Sequence, residues 1–157
     1  MFFLGGLKTL NKPEYTSKQS GKIKKEDTMN KMMLVKQALT TVLGKDIGNL
    51  AIVKKYFSPD YIQIVDGKQI DFEEFYEHLK VLKAATKSIT VTIKSIAEGD
   101  NCVHTQHIAR AIKNDGSVSE FEVFACFQIE DGKIIRCEEM TRMIKGSNTD
   151  EDLGSRT

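Results

Sequence analysis

Between positions 89 and 144 apolar residues recur at every second place in four successive runs, over 89–97, 102–112, 118–129 and 133–144. Only the turn pieces EGDN, NDGS and EDGK separate them. Connections this short join antiparallel neighbours, because a parallel return needs a crossover of about a dozen residues or more. The second half of the chain is therefore a four-stranded meander. One face of such a sheet has to be covered, and the cover has to come from the residues before it.

Those residues read as helices. Met32, Val35, Leu39 and Val42 fall at helical spacing, with Gly44 as the stop. A second helix is expected over 46–57, with Asp46 as its cap and Pro59 beyond its end. YIQIV, over 61–65, reads as a short strand closed by the turn pair Asp66 and Gly67. In IDFEEFYEHLKVLKAATKS, Asp71 is the N-cap, Glu74 completes a capping box and Ile70 staples to Phe75. Phe72, Phe75, Tyr76, Leu79 and Leu82 form the apolar face of that helix. Helices followed by a meander make an α+β layout, with a ligand pocket expected between the curved sheet and the long helix.

A chain of 157 residues, 40% hydrophobic and 29% charged, has enough apolar material for one domain with a real core. Its 23 basic and 22 acidic residues leave a formal net charge of +1, which provides no field for a phosphate backbone, so nucleic acid is not an expected partner. Cys102, Cys126 and Cys137 each sit inside a strand pattern rather than at paired spacings, which points to a reducing, cytoplasmic setting. MFFLGGLKTL lacks the basic leader and cleavage site of an export signal, and no run approaches a membrane span. Residues 8–27 are polar and lysine-rich, so the expected organisation is a flexible arm over 1–28, a folded domain over 29–145 and a flexible polar tail over 146–157.

Alternation assigns faces. In the second meander strand Val103, Thr105, His107, Ala109 and Ala111 share one side, and Cys102, His104, Gln106, Ile108 and Arg110 the other. His104 and His107 therefore point oppositely and do not share one metal; neither a metal nor an organic cofactor is expected. Phe121, Val123, Ala125 and Phe127 read as core, while Glu122, Phe124, Cys126 and Gln128 mix apolar and polar groups in a way that suits contact with a second copy. In the last strand Cys137, Glu139, Thr141 and Met143 alternate against Arg136, Glu138, Met140 and Arg142.

The stretches YFSPDYIQIVDGKQIDFEEFYEHLKVL and EDGKIIRCEEMTRMI, taken in order with the helices and meander, resemble the nuclear transport factor 2-like superfamily and its SnoaL-like polyketide cyclase branch over about 29–145. The resemblance implies a cone-shaped barrel, a curved, mostly antiparallel sheet wrapped around three N-terminal helices (the cystatin-like, nuclear transport factor 2-like fold). It also implies a mostly apolar pocket and a homodimer through the outer sheet face. Enzymes of this superfold place a carboxylate and polar partners in the cone for cofactor-free acid/base work of isomerase, cyclase or hydrolase type. Aligned with the limonene epoxide hydrolase branch, Glu139 takes the place of its first acid and His107 that of its basic residue, while Ala109 replaces the second acid. Many SnoaL-like sequences carry a histidine after the tyrosine and glutamine of the first strand; here that place is Ile64.

Glu139 and His107 are thus the catalytic candidates. A carboxyl inside an apolar cone is poorly solvated and titrates nearer neutrality, whereas pairing with Arg136 or Arg142 at the rim would make it structural. His107 either shares the proton of Glu139 across neighbouring strands or is a hydrogen-bonded core histidine. Tyr61 and Gln63 are candidates to hold a substrate oxygen, or in the case of Tyr61 to cap the cone mouth. His78 stands at the edge of the long helix's apolar face, near solvent. It joins Thr105, Phe127 and Thr141, which share the inward faces, as a substrate-binding candidate. The function read from this set is binding of a small hydrophobic or carbonyl-bearing metabolite. A non-catalytic ligand-binding or dimeric interaction module is the alternative.

Overall fold

The structure, a computed structural model, describes residues 25–151 and 153. Its elements are α1 (Lys25–Val42), α2 (Leu50–Tyr56), β1 (Phe57–Val65), β2 (Lys68–Ile70), α3 (Phe72–Ala85), β3 (Thr86–Glu98), β4 (Cys102–Lys113), β5 (Val118–Glu130), β6 (Lys133–Lys145) and a 3-10 turn (Asn148–Asp150). The expected arm lies outside the described residues as far as position 24; from Lys25 the backbone is already helical, ahead of Met29. Among the described residues no helix is long and apolar enough to cross a membrane.

The meander forms as expected, β3 to β6 pairing in succession in a six-stranded sheet of order β2-β1-β6-β5-β4-β3. Strand β1 then joins the far edge of β6 in parallel, and β2 folds back on β1. The β1–β2 hairpin turns through Asp66 (φ 49°) and Gly67 (φ 86°), the left-handed pair that a two-residue hairpin requires. Its short strand β2 was not anticipated from sequence. Pro59 lies inside β1, where it has no N–H to donate, and the parallel register shifts between Phe57 and Ile62 around it.

Helix α2 is shorter than the expected 46–57. Gly48 adopts φ 74° and breaks the run, so Asn49 rather than Asp46 is the cap; its Oδ1 accepts from the N–H of Ala51 and Ile52 at 3.1 and 3.4 Å. Helix α3 starts with the anticipated box: Glu74 N–H donates to Asp71 Oδ1 at 2.9 Å and Asp71 N–H to Glu74 Oε2 at 3.1 Å. Val35, Leu39 and Val42 of α1 and Phe75, Leu79 and Leu82 of α3 pack on the concave face of the sheet. Phe57, Tyr61 and Phe75 form a three-ring contact with centroids 4.8 to 5.0 Å apart.

The segment after Lys145, expected to be a tail, docks on the fold. Asp150 is buried and its carboxylate accepts from Lys113 Nζ (2.8 Å), Ser119 Oγ (2.9 Å) and the Ser147 N–H and Oγ (each 3.0 Å). Leu153 then enters the core. The polar composition of GSNTDEDLGSRT conceals this, because one carboxylate with enough donors and one leucine suffice to hold a short segment. Residues 152 and 154–157 lie outside the described set.

Candidate active site

Helices α1 and α3 and the concave sheet face enclose a cavity of about 110 Å³. Its wall is largely apolar, with Leu39, Val42, Leu82, Ile89 and Phe121 among the lining residues, and Leu153 closes one side. Tyr61, Gln63, His78, His107, Phe127, Glu139 and Thr141 all line it. Thr105 does not; it stands behind His107, its Oγ1 3.0 Å from His107 Nδ1, and fixes the ring.

Glu139 projects from β6 between Cys137 and Thr141 and is part-buried. Gln63 Nε2 donates to its Oε1 at 3.3 Å and the Cys137 thiol donates to its Oε2 at 3.6 Å. Arg136 pairs with Glu138 and Arg142 with Glu122, so the rim pairing that would have made Glu139 structural is not formed. Burial pushes the carboxyl up to about 7; the hydrogen bonds from Cys137 and Gln63 pull the other way and the negative Asp66 adds to the rise.

His107 is 2% exposed, and burial pushes its imidazolium down to about 4, so the ring is neutral at neutral pH. The expected proton sharing between His107 and Glu139 on adjacent strands is corrected by the register. Strand β5 lies between them, with His107 opposite Val123 and Glu139 opposite Ala125. Two strand spacings, about 10 Å, separate the backbones, so a guest or water has to span the gap.

Tyr61 does not cap the mouth. It is fully buried in the three-ring contact, and burial together with nearby Cys137 and Glu139 raises its phenol well above the usual range, keeping it a proton donor. Gln63 is 7% exposed, and while its Nε2 serves Glu139, its Oε1 is buried with no partner among the described residues. That orphan acceptor on the cavity wall calls for a donor from a guest. His78, expected near solvent, is 5% exposed and lines the cavity. Thr141 donates both its N–H (2.8 Å) and its hydroxyl to the Asp66 carboxylate, leaving its oxygen to act toward the cavity as an acceptor.

Three contributors escaped the sequence reading. Cys137 shares the face of Glu139 by alternation and was legible there as a neighbour. Asp66 was read as a turn residue, yet its carboxylate anchors Thr141 and its N–H donates to Glu139 O at 3.0 Å. Leu153 left no periodic signal.

No family model matches the chain. An uncharacterized protein of Schizosaccharomyces pombe is 33% identical over 103 residues, covering 66% of this chain and 79% of the yeast protein. Among solved structures, AclR of Streptomyces galilaeus superposes with a TM-score of 0.61 at 15% identity, covering 80% of this chain and 83% of AclR. A SnoaL-like protein of Jannaschia sp. CCS1, assigned as a polyketide cyclase, gives 0.60 at 12% identity, with 77% and 91% covered. An LEH-like epoxide hydrolase of Mycobacterium tuberculosis gives 0.60 at 18%, with 74% and 85% covered. The chain has the nuclear transport factor 2-like fold that these structures share. The chain and the fission-yeast protein belong to one family.

Proposed function

We propose that the protein binds a small hydrophobic or carbonyl-bearing metabolite in the cone and moves a proton next to its carbonyl, without an organic cofactor. The observation that carries this reading is the Glu139 carboxyl, lifted to about 7 by burial and without a cationic partner among the described residues. A base titrating there is half-ionised near neutral pH, where proton transfer in both directions is fastest. Glu139 acts as base or acid. Tyr61 and His107, both neutral, hold the substrate oxygen or the water that spans to it, and Gln63 Oε1 accepts from a substrate donor.

Volume narrows the substrate class. A cavity of about 110 Å³ is smaller than the roughly 150 Å³ that takes one benzene, and well under the roughly 300–1,000 Å³ of common ligand pockets. A single ring or short chain suits it. A fused multi-ring polyketide requires α1 or the segment around Leu153 to move. The epoxide hydrolase among the structural neighbours suggests hydrolysis as another outcome, but Ala109 leaves this cavity without a second acid at that place.

The experiment is solvent-deuterium exchange at the carbon next to the carbonyl of small cyclic ketones such as cyclopentanone, followed by NMR, alongside binding of the same ketones. Catalysis is expected to accelerate exchange and to vanish in Glu139→Gln while affinity persists. Saturable binding without exchange would leave a binding module; no binding would defeat both.

A second reading, a homodimer through the outer sheet face, is favoured by Phe124 and Met140. They are register partners on β5 and β6, 52% and 72% exposed, and form an apolar patch opposite the cavity. Light scattering at micromolar concentration tests it, with Phe124→Arg as the variant expected to give a monomer.

A further inference from the structure

We infer that Cys102, His104 and Cys126 form a binding site for a thiophilic divalent cation of the zinc type on the outer face of the sheet. One ligand atom from each, Cys102 Sγ, a ring nitrogen of His104 and Cys126 Sγ, lie within 4.8 Å of one another. Cys102 Sγ is 3.2 Å from His104 Nε2. In a tetrahedral zinc site, with metal–sulfur bonds of about 2.3 Å and metal–nitrogen bonds of about 2.0 Å, ligand atoms stand roughly 3.5 to 3.8 Å apart. The three groups therefore close on an ion by rotamer adjustment, with no backbone change.

The strands produce this grouping. Cys102 and His104 alternate onto one face of β4, and Cys126 is the register partner of His104 on β5. Glu138 of β6 is in turn the register partner of Cys126 and is the carboxylate on that side of the site. Gly99, in the β3–β4 turn, is drawn in by its N–H bond to Cys102 O at 2.8 Å. A Cβ at position 99 would lie 3.0 Å from Cys102 Sγ and 3.6 Å from His104 Nε2, so the bare glycine leaves the site room. His104 is exposed and both thiols are half-buried, with His104 and Cys126 bordering a shallow groove.

A disulfide is the competing use of two facing thiols, and the register disfavours it. Cys102 pairs with Gln128, so Cys102 and Cys126 are diagonal neighbours, about 7 to 8 Å apart at Cα. Bridging needs less than about 7 Å. The site lies on the face opposite His107 and Glu139 and is independent of the cavity chemistry.

The test is titration of the reduced full chain with Co²⁺, read by the thiolate-to-cobalt absorption band, followed by competition with Zn²⁺. The expected result is saturation at one ion per chain, displacement by zinc, and loss of the band in Cys102→Ser and Cys126→Ser but not in Cys137→Ser. Zinc affinity should fall about a hundredfold or more in each of the two, beyond the 10- to 100-fold cost of altering a partner that merely orients a ligand. Melting of each metal-free variant is compared with the parent, and Gly99→Ala, which crowds the ions' place without removing a ligand, should weaken binding in a chain that folds. Absence of a thiolate band in the folded reduced protein, or its survival in the double serine variant, would overturn the assignment, as would ready oxidation to a Cys102–Cys126 bridge in place of metal uptake.

Discussion

Gln63 and Glu139 meet across the parallel seam between β1 and β6, the amide donating to the carboxylate at 3.3 Å while its own oxygen has no partner among the described residues. This contact ties the parallel pairing of β1 and β6 to an acid that burial pushes up to about 7. The pH dependence of the fold should report it. Glu139 keeps its proton in the native state up to about 7, whereas the unfolded carboxyl loses it near 4.5. Between those values the folded chain holds the extra proton, so stability falls as pH rises, by at most about 3 kcal/mol. Glu139→Gln should flatten that fall and be the more stable protein at pH 8, though not at pH 4. Urea unfolding of both at the two pH values checks this; an equal difference at both would mean that the carboxyl is not withdrawn from water.

His107 should act with the opposite sign. Its native ring refuses a proton until about 4, while the unfolded ring accepts one at about 6.5. Stability is therefore lost as pH falls from 6.5 toward 4. In His107→Asn that acid-side slope should diminish, and an NMR titration of the parent should find one imidazole silent across the neutral range.

The Asp150 clasp gives a third expectation. The Lys113 ammonium, with the Ser147 N–H and the Ser119 and Ser147 hydroxyls, holds its carboxyl well below the usual carboxylate range. Its stabilisation is present above that range and is lost as pH drops through it. Asp150→Asn should lower the melting temperature at neutral pH and raise hydrogen exchange over 146–151 and at Lys113. A variant with unchanged exchange there would show that Leu153 holds the segment by itself.

Asp71→Ala should cost about 1 kcal/mol by removing the cap of α3. Since α3 carries Phe75, His78 and Leu82 to the cavity, ketone affinity should fall with stability rather than stay constant. Calorimetry and binding on the same sample test this.

The meander, the capping box and the inward set of His107, Phe127 and Glu139 were legible because each rests on local rules: period-two alternation, turn chemistry and a three-residue reciprocal cap. Long-range partners were not. Nothing local to YIQIV says that it runs parallel to β6, or that β5 stands between His107 and Glu139. His78 sits at the margin of its helical stripe, where a rotation of a few tens of degrees decides between water and core. Asp150 is held by donors far away in the chain, Lys113 and Ser119, and Leu153 by packing in the core.

The parallel seam also orders the history of the chain. Gln63 must wait for a partner 76 positions later before β1 has any neighbour but the short β2. During synthesis β1 emerges long before its parallel partner, and closing so long a loop is slow. A nascent chain stalled before position 133 is therefore the form most exposed to chaperones, and the act of completing the sheet is also the act that assembles the cavity.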